Sequence, residues 1–209
     1  MRNWRLVHSP AGDIFSQMKL DRRNFESFLE DPAEPPFLRT YRVSGPAITV
    51  GRSYAKRRKP FVNWAGLPVC VRPTGGGKVE HGQDLLYSVI GRKNSFPTFH
   101  QVRTSYLSFH EAVQEALQSL GVGSRLFRSD EAKRALHTVD CFRGPVATDV
   151  LVEEKKIAGG AQWRRGDAFL HQGSIRLVKG TSFEAMKEAL ATAFERKFEI
   201  AWCPSLAEV

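Results

Sequence analysis

The stretch CFRGPVATDVLVEEKKIAGGAQW, residues 141 to 163, constrains the fold more than any other part of the chain. Its β-branched residues Thr148, Val150 and Val152 predict an extended run. Val152 to Lys156 read as a β-hairpin, with an apolar strand, an acidic-basic tip and a second strand from Lys156. Beyond Lys156, Ile-Ala-Gly-Gly-Ala predicts a tight turn, where Gly159 and Gly160 permit a backbone approach that side chains would block. Cys141 and Lys156 bring a thiol and an amine to this stretch, the residue types of a nucleophile and its activating partner. Free cysteines are also commonly buried as small apolar residues, and spacing alone leaves both readings of Cys141 open.

With 209 residues and 42% apolar content, the chain can bury a sizeable core without disulfide help, so residues 1–209 are expected to form a single domain. Cys70, Cys141 and Cys203 are few and odd in number, with no CxxC pair and no metal-ligand spacing, which fits a reducing cytoplasm and no metal site. No apolar run is long enough for a signal peptide or a bilayer span, so a cytoplasmic protein with no membrane partner is expected. The 31 basic and 22 acidic residues give a net charge of +9, which favours an acidic partner. The basic residues are scattered apart from Lys56-Arg57-Arg58-Lys59, which has no aromatic interleaving. That run reads as a solvated loop or as a contact for an acidic protein or anionic cofactor tail, and not as a nucleic-acid motif.

Along the chain, Asp13 is placed to cap a helix over 14–29 with Phe15, Met18, Phe25, Phe28 and Leu29 on its apolar face. The prolines of DPAEPP stop it. FLRTYRV (37–43) and PAITVG (46–51) read as strands about a Ser-Gly-Pro turn, RSYAKRRKP as a polar loop, and GLPVCVR (66–72) as a strand carrying Cys70 into the core. Three glycines then follow a strand in PTGGGKVEHGQDLLYSVIG (73–91), giving backbone N–H groups that can hold an anionic or carbonyl oxygen. The spacing is neither a Walker loop nor GxGxxG. His81 and the alternating strand Leu85 to Ile90 lie beside these glycines, although His81 also suits a histidine that hydrogen-bonds within a core or turn. Val102, Tyr106, Phe109, Val113, Leu117 and Leu120 predict an amphipathic helix ended by Gly121. SRLFR (124–128) and AFLHQGSIRLV (168–178) read as strands, the second with His171 and Gly173 placed to face a site. Thr181 and Glu184 form a capping box for a last helix over about 182–198. The sum is an α/β or α+β domain, a mixed central sheet flanked by helices.

Two blocks taken together resemble the lipoate–protein ligase and octanoyl transferase superfamily. RPTGGGKVEH followed by LLYSV is similar to a signature of a glycine run, a histidine and a Tyr-Ser strand, which assigns Arg72, Thr74, Gly75, Gly76, Gly77, His81, Tyr87 and Ser88 to substrate binding. KKIAGGAQW followed by LHQGSI is similar to a second signature, Lys-Ile-x-Gly-x-Ala-Gln and then His-x-Gly-Ser, which adds Gly159, Gly160, Ala161, His171 and Gly173. FLRTYRVSGPAITVG resembles the superfamily's Leu-Arg-x-Tyr entry strand. The resemblance spans about residues 10 to 178 and implies the biotin/lipoate ligase-like catalytic fold, with a groove for a medium-length acyl chain. Gly76-Gly77-Lys78-Val79 and Arg52-Ser53-Tyr54 depart from the usual pattern, at places that touch the acyl groove and partner surface.

Cys141-Phe142, Pro145 and Asp149 upstream of Lys156 look like the octanoyl-transferase branch. There the cysteine accepts the acyl group and the lysine assists it, so the resemblance implies Cys141 and Lys156 as the catalytic pair. The implied partners are acyl carrier protein and lipoyl-domain proteins, both acidic as families, with an octanoyl or lipoyl group as ligand and no cofactor. Alternatives are an ATP- and magnesium-dependent lipoate–protein ligase, an octanoyl amidotransferase between lipoyl domains, and a non-catalytic module that binds acyl groups or lipoyl domains. Many such ligases carry an extra C-terminal domain, which a chain of this length is not expected to hold.

Overall fold

The computed structural model describes residues 2–57, 64, 66–128 and 146–203. Cys141, Pro145, the connection over 129–140 and the Arg58-Lys59 half of the basic run lie outside the described residues.

The chain opens with β1 (Arg2–His8), which the sequence patterns did not reveal, and continues into α1 (Ile14–Glu30). Asp13 caps α1 as expected, its carboxylate accepting from the N–H groups of Phe15 and Ser16. The buried stripe of α1 is Ile14, Met18, Asp21, Phe25 and Phe28, a run of four- and three-residue steps with a carboxylate at its centre. Phe15 sits off that stripe and is 53% exposed, contrary to the expected apolar face. β2 (Phe37–Tyr41) and β3 (Ala47–Gly51) follow. The segment expected to be a polar loop then forms a short helix, α2 (Arg52–Arg57), because Tyr54 and Ala55 pack on Ile48 and Val50 while Lys56 and Arg57 face outward. β4 (Val69–Arg72), β5 (Lys78–His81) and β6 (Asp84–Arg92) precede α3 (Val102–Ser119). Gly121, at φ +76, ends α3 as expected, and the Val122 N–H reaches back to the Leu117 carbonyl. Val102 stands in the first turn and is half exposed, so it does not share the helix's buried face.

β7 (Arg125–Leu126), β8 (Val150–Val152), β9 (Lys155–Arg165) and β10 (Ala168–Arg176) form successive antiparallel pairs. The hairpin between β8 and β9 turns on Glu153 and Glu154, at φ +47 and +61, with Arg125 clasping the Glu154 carboxylate. Two expectations change here. Thr148 is not extended but lies at φ +79, and the Gly-Gly pair is not a turn but the middle of the long strand β9. α4 (Phe183–Phe198) is capped by Ser182, whose hydroxyl accepts from the Ala185 N–H. Thr181 instead bonds both ways with the backbone of Val178. β11 (Ile200–Cys203) closes the described chain.

These strands make an eight-stranded sheet of order β11-β1-β2-β6-β10-β9-β8-β7 and a three-stranded sheet of order β4-β3-β5. β1 is parallel to both of its neighbours, and the other pairs of the large sheet are antiparallel. One face of the large sheet packs against α3 and α4 through Tyr87, Val89, Phe109, Val113, Phe194 and Phe198. The opposite face takes α1, with Phe25 and Phe28 on Phe37, Ile90 and Leu170. Both faces being covered explains why every residue of β2 is buried. The small sheet lies on the α1 side, and its short helix reaches the large sheet where the Arg52 guanidinium sits over the Trp163 ring. This mixed α+β architecture matches the expected fold class. No helix among the described residues is long and apolar enough to cross a membrane.

Candidate functional site

A cavity of about 290 Å³ opens between the two sheets and α1, a size at the lower end for a small-molecule site. Its apolar wall is Met18, Tyr41 and Leu86, from α1, β2 and β6, while Thr49, Arg72, His81 and Lys156 bring polar atoms to it. The remaining surface is largely backbone from the 76–77 loop and the glycines of β9 and β10.

Two buried polar networks fix this geometry. In the first, Arg72 donates to the Gly75 carbonyl through Nε and Nη2, at 3.0 and 2.6 Å, and to Thr49 Oγ1 at 3.1 Å. Thr49 Oγ1 lies 2.8 Å from His81 Nε2, and His81 Nδ1 lies 2.7 Å from Asp84, which also accepts from Ser174 Oγ. The imidazole is thus held at both nitrogens while it faces the cavity, so both readings of His81 apply at once. In the second network, Asp21 accepts from Arg39, Tyr41, Ser88 and Gln172 at 2.6 to 2.8 Å, all buried beneath the cavity. Gln172 Oε1 in turn accepts from Thr74 Oγ1 at 2.8 Å, which ties the glycine loop to β10. Every donor in these chains meets an acceptor, the condition for a buried polar network to hold one arrangement.

Burial by itself would raise the Asp84 carboxyl, but the bond and charge of His81, with the bonds from Ser174 and the Gly82 N–H, outweigh it and hold the group below the ordinary carboxylate range. A depressed folded value stabilises the protein above the unfolded value near 4 and is lost as pH falls through the folded one. Asp84→Asn is therefore expected to flatten the loss of stability between roughly pH 5 and 3, checked by urea midpoints at each pH.

Lys156 Nζ lies 2.7 Å from Asp149 Oδ2, with side chains only 6% and 2% exposed. Lys155, its neighbour at the hairpin tip, is exposed, so burial separates two lysines that sequence pattern could not. A Cβ on residue 159 would stand 2.7 Å from Lys156 Cε and 2.8 Å from Asp149 Oδ1, so glycine there is what lets the pair lie over β9. Asp149 also accepts from the Val146 N–H at 2.6 Å, and Val146 lines the cavity where the described chain resumes, five positions after Cys141 in sequence.

Arg72, Gly76, Gly77, His81, Lys156, Gly159, Gly160, Ala161 and Gly173 come together around the cavity. Thr74 and Gly75 support it from behind, and Ser88 belongs to the Asp21 network. Tyr87 and His171 do not face it. Gly173 pairs with Tyr87 across the sheet, and strand alternation sends both rings to the α3 side, against Phe109 and each other. Burial, then the nearby His110 and Arg164, hold His171 well below the ordinary imidazole range, so it stays neutral. Cys70 is buried beside Met18 and Leu86, and burial pushes its thiol up to about 11, as a core cysteine. Sequence reasoning missed Asp21, Thr49, Asp84 and Gln172. The one available signal was an aspartate at the centre of an apolar helical stripe.

The lipoyl protein ligase A/B catalytic domain model matches residues 13–208. An octanoyltransferase LipM of Moorella thermoacetica is 31% identical over 182 residues, 84% of this chain and 65% of that protein. One from Kyrpidia tusciae is 32% identical over 187 residues, 85% of this chain and 67% of that protein. The chain thus spans about two thirds of the length of these curated relatives. Among solved structures, lipoate-protein ligase A bound with ATP shares the fold at TM-score 0.72 and 22% identity, covering 98% of this chain and 89% of that one. A structure from an archaeal lipoylation system, described as a bi-partite lipoate protein ligase and its E2 lipoyl domain from Thermoplasma acidophilum, gives TM-score 0.71 at 20% identity, covering 98% and 87%.

Proposed function

Because the chain belongs to the lipoyl protein ligase A/B catalytic-domain family, we propose that it moves an octanoyl group from a carrier-protein thioester, through Cys141, to a lysine of a lipoyl domain. The observation that carries this reading is the buried Lys156–Asp149 pair, whose lysine lines the cavity together with Val146, five positions after Cys141 in sequence. The relatives named octanoyltransferase support the reaction, and the net charge of +9 suits acidic partners by electrostatic steering.

In the first step the Cys141 thiolate adds to the thioester carbonyl, and the carrier thiolate leaves and takes a proton. In the second, the ε-amine of the acceptor lysine adds to the acyl-enzyme, loses its proton to a base, and expels the Cys141 thiolate. A free cysteine, with a pKa of about 8.5, is mostly thiol at neutral pH. Lys156 supplies the cation that stabilises the thiolate and the amine that relays the proton, and Asp149 aims it. The 75–77 loop, which joins β4 to β5 outside the β9–β10 ladder, holds the oxyanion, a contribution of about 3 kcal/mol when a donor is well aimed. No cofactor takes part in this scheme.

The test is incubation with octanoyl–acyl carrier protein without ATP, followed by peptide mass spectrometry. A hydroxylamine-labile octanoyl adduct on Cys141, discharged by a lipoyl domain, is the expected result. No adduct, with lipoate transfer only when ATP and magnesium are added, would replace the transferase by a ligase.

A further inference from the structure

Thr148 carries a backbone that its side chain resists. Its φ of +79 is in the left-handed region, where a β-branched residue is strained and persists only if its surroundings hold it. Three bonds do so. The Thr148 N–H donates to the Phe127 carbonyl at 2.8 Å, and the Phe127 N–H donates to the Asp149 carbonyl at 2.7 Å. The third comes from α3, where His110 Nδ1 donates to the Thr148 carbonyl at 2.7 Å. His110 is 1% exposed, and its other nitrogen, Nε2, is buried with no hydrogen-bond partner among the described residues. Among the described residues the ring therefore makes its polar contacts through Nδ1. The residue after the strained turn is Asp149, whose carboxylate meets Lys156 Nζ and the Val146 N–H.

We infer that His110 is a positioning residue, which clamps the Thr148 carbonyl so that Asp149 points at Lys156. The clamp acts through the backbone and touches neither substrate nor Lys156 Nζ. Burial first keeps the His110 imidazole below its ordinary range, so the ring is neutral and Nδ1–H is a donor of fixed tautomer. Without that donor, Thr148 relaxes towards negative φ, which rotates Asp149 away from the amine. With glycine at 148, positive φ carries no steric penalty, and the turn persists without the clamp. The catalytic part of this inference rests on Lys156 acting in acyl transfer, whereas the clamp itself does not.

Two readouts keep those apart. Competitive acetylation of the intact protein, read by mass spectrometry with Lys155 as internal standard, reports whether Asp149 still holds Lys156. In His110→Leu, Lys156 labelling relative to Lys155 is expected to rise at least fivefold. Labelling returns to the parent level in His110→Asn, whose amide replaces the donor, and in the double variant His110→Leu/Thr148→Gly. Acyl transfer should follow the same order, with kcat reduced at least tenfold in His110→Leu and KM unchanged. Parent-like labelling in a folded His110→Leu overturns the inference. If His110→Leu does not fold, failure of Thr148→Gly to restore either folding or the parent labelling overturns it equally. Labelling that follows the order while a Lys156 variant still transfers acyl groups leaves the clamp standing and removes Lys156 from the chemistry.

Discussion

Lys156→Met is expected to slow acylation of Cys141 by roughly 10²- to 10⁴-fold, the range for loss of a positioned proton-transfer group, and to destabilise the fold as well. Methionine nearly matches the lysine stem in length but leaves the Asp149 carboxylate, 2% exposed, without the ammonium that now lies 2.7 Å away. Breaking a buried ion pair from one side costs about 3–5 kcal/mol, because a charge stays behind without its partner. For a chain of this size that corresponds to a fall in Tm of roughly 6–20 °C. The double variant Lys156→Met/Asp149→Asn removes the stranded charge, so it should recover most of the stability and none of the rate. Thermal melts and single-turnover acylation from octanoyl–acyl carrier protein measure the two effects separately. Recovery of the rate in the double variant would mean that the pair is only structural, and acylation of Lys156→Met at the parent rate would remove the lysine from the mechanism.

The residues that sequence pattern located well are those whose role is local. Gly121 ends α3 because a single φ requires it, and Asp13 caps α1 through its own side chain. The two glycine-bearing motifs do meet at one cavity, since the small sheet that carries the 76–77 loop lies against the large one, where Thr74 bonds Gln172 of β10. What the pattern could not supply is the set of contacts made across elements. Gly159 and Gly160 read as a turn because glycine commonly marks one, yet here they clear space for Lys156 with Asp149 and for the His171 ring. Tyr87 and Ser88 are adjacent in one motif, and alternation puts them on opposite faces of β6, one under α3 and the other in the Asp21 network. Thr148 is β-branched and belongs by propensity in a strand. Its hydrogen bonds to Phe127 and His110, both distant in sequence, hold it elsewhere.

Asp21 carries the second large effect. Its carboxylate accepts four hydrogen bonds from three strands of the large sheet while its own backbone belongs to α1, and both it and Arg39 are fully buried. Asp21→Ala strands the Arg39 guanidinium and takes away the acceptor of Tyr41, Ser88 and Gln172 together. The expected cost is about 3–5 kcal/mol for the broken ion pair, with about 1 kcal/mol more for each neutral donor that finds no substitute. Tyr41→Phe removes one of those neutral bonds and should cost only about 1 kcal/mol. The difference extends to the cavity, because Gln172 bonds Asp21 through its amide nitrogen and Thr74 through its oxygen. Once Asp21 is gone the Gln172 amide is free to turn, and the Thr74 anchor of the glycine loop goes with it. Hydrogen exchange at residues 75–77 should therefore quicken in Asp21→Ala and stay near the parent rate in Tyr41→Phe, under conditions where both remain folded. Equal exchange in the two variants would limit Asp21 to joining α1 to the sheet, and the glycine loop would then owe its position to other bonds, among them those of Arg72 to the Gly75 carbonyl and of the Arg52 N–H to the Thr74 carbonyl.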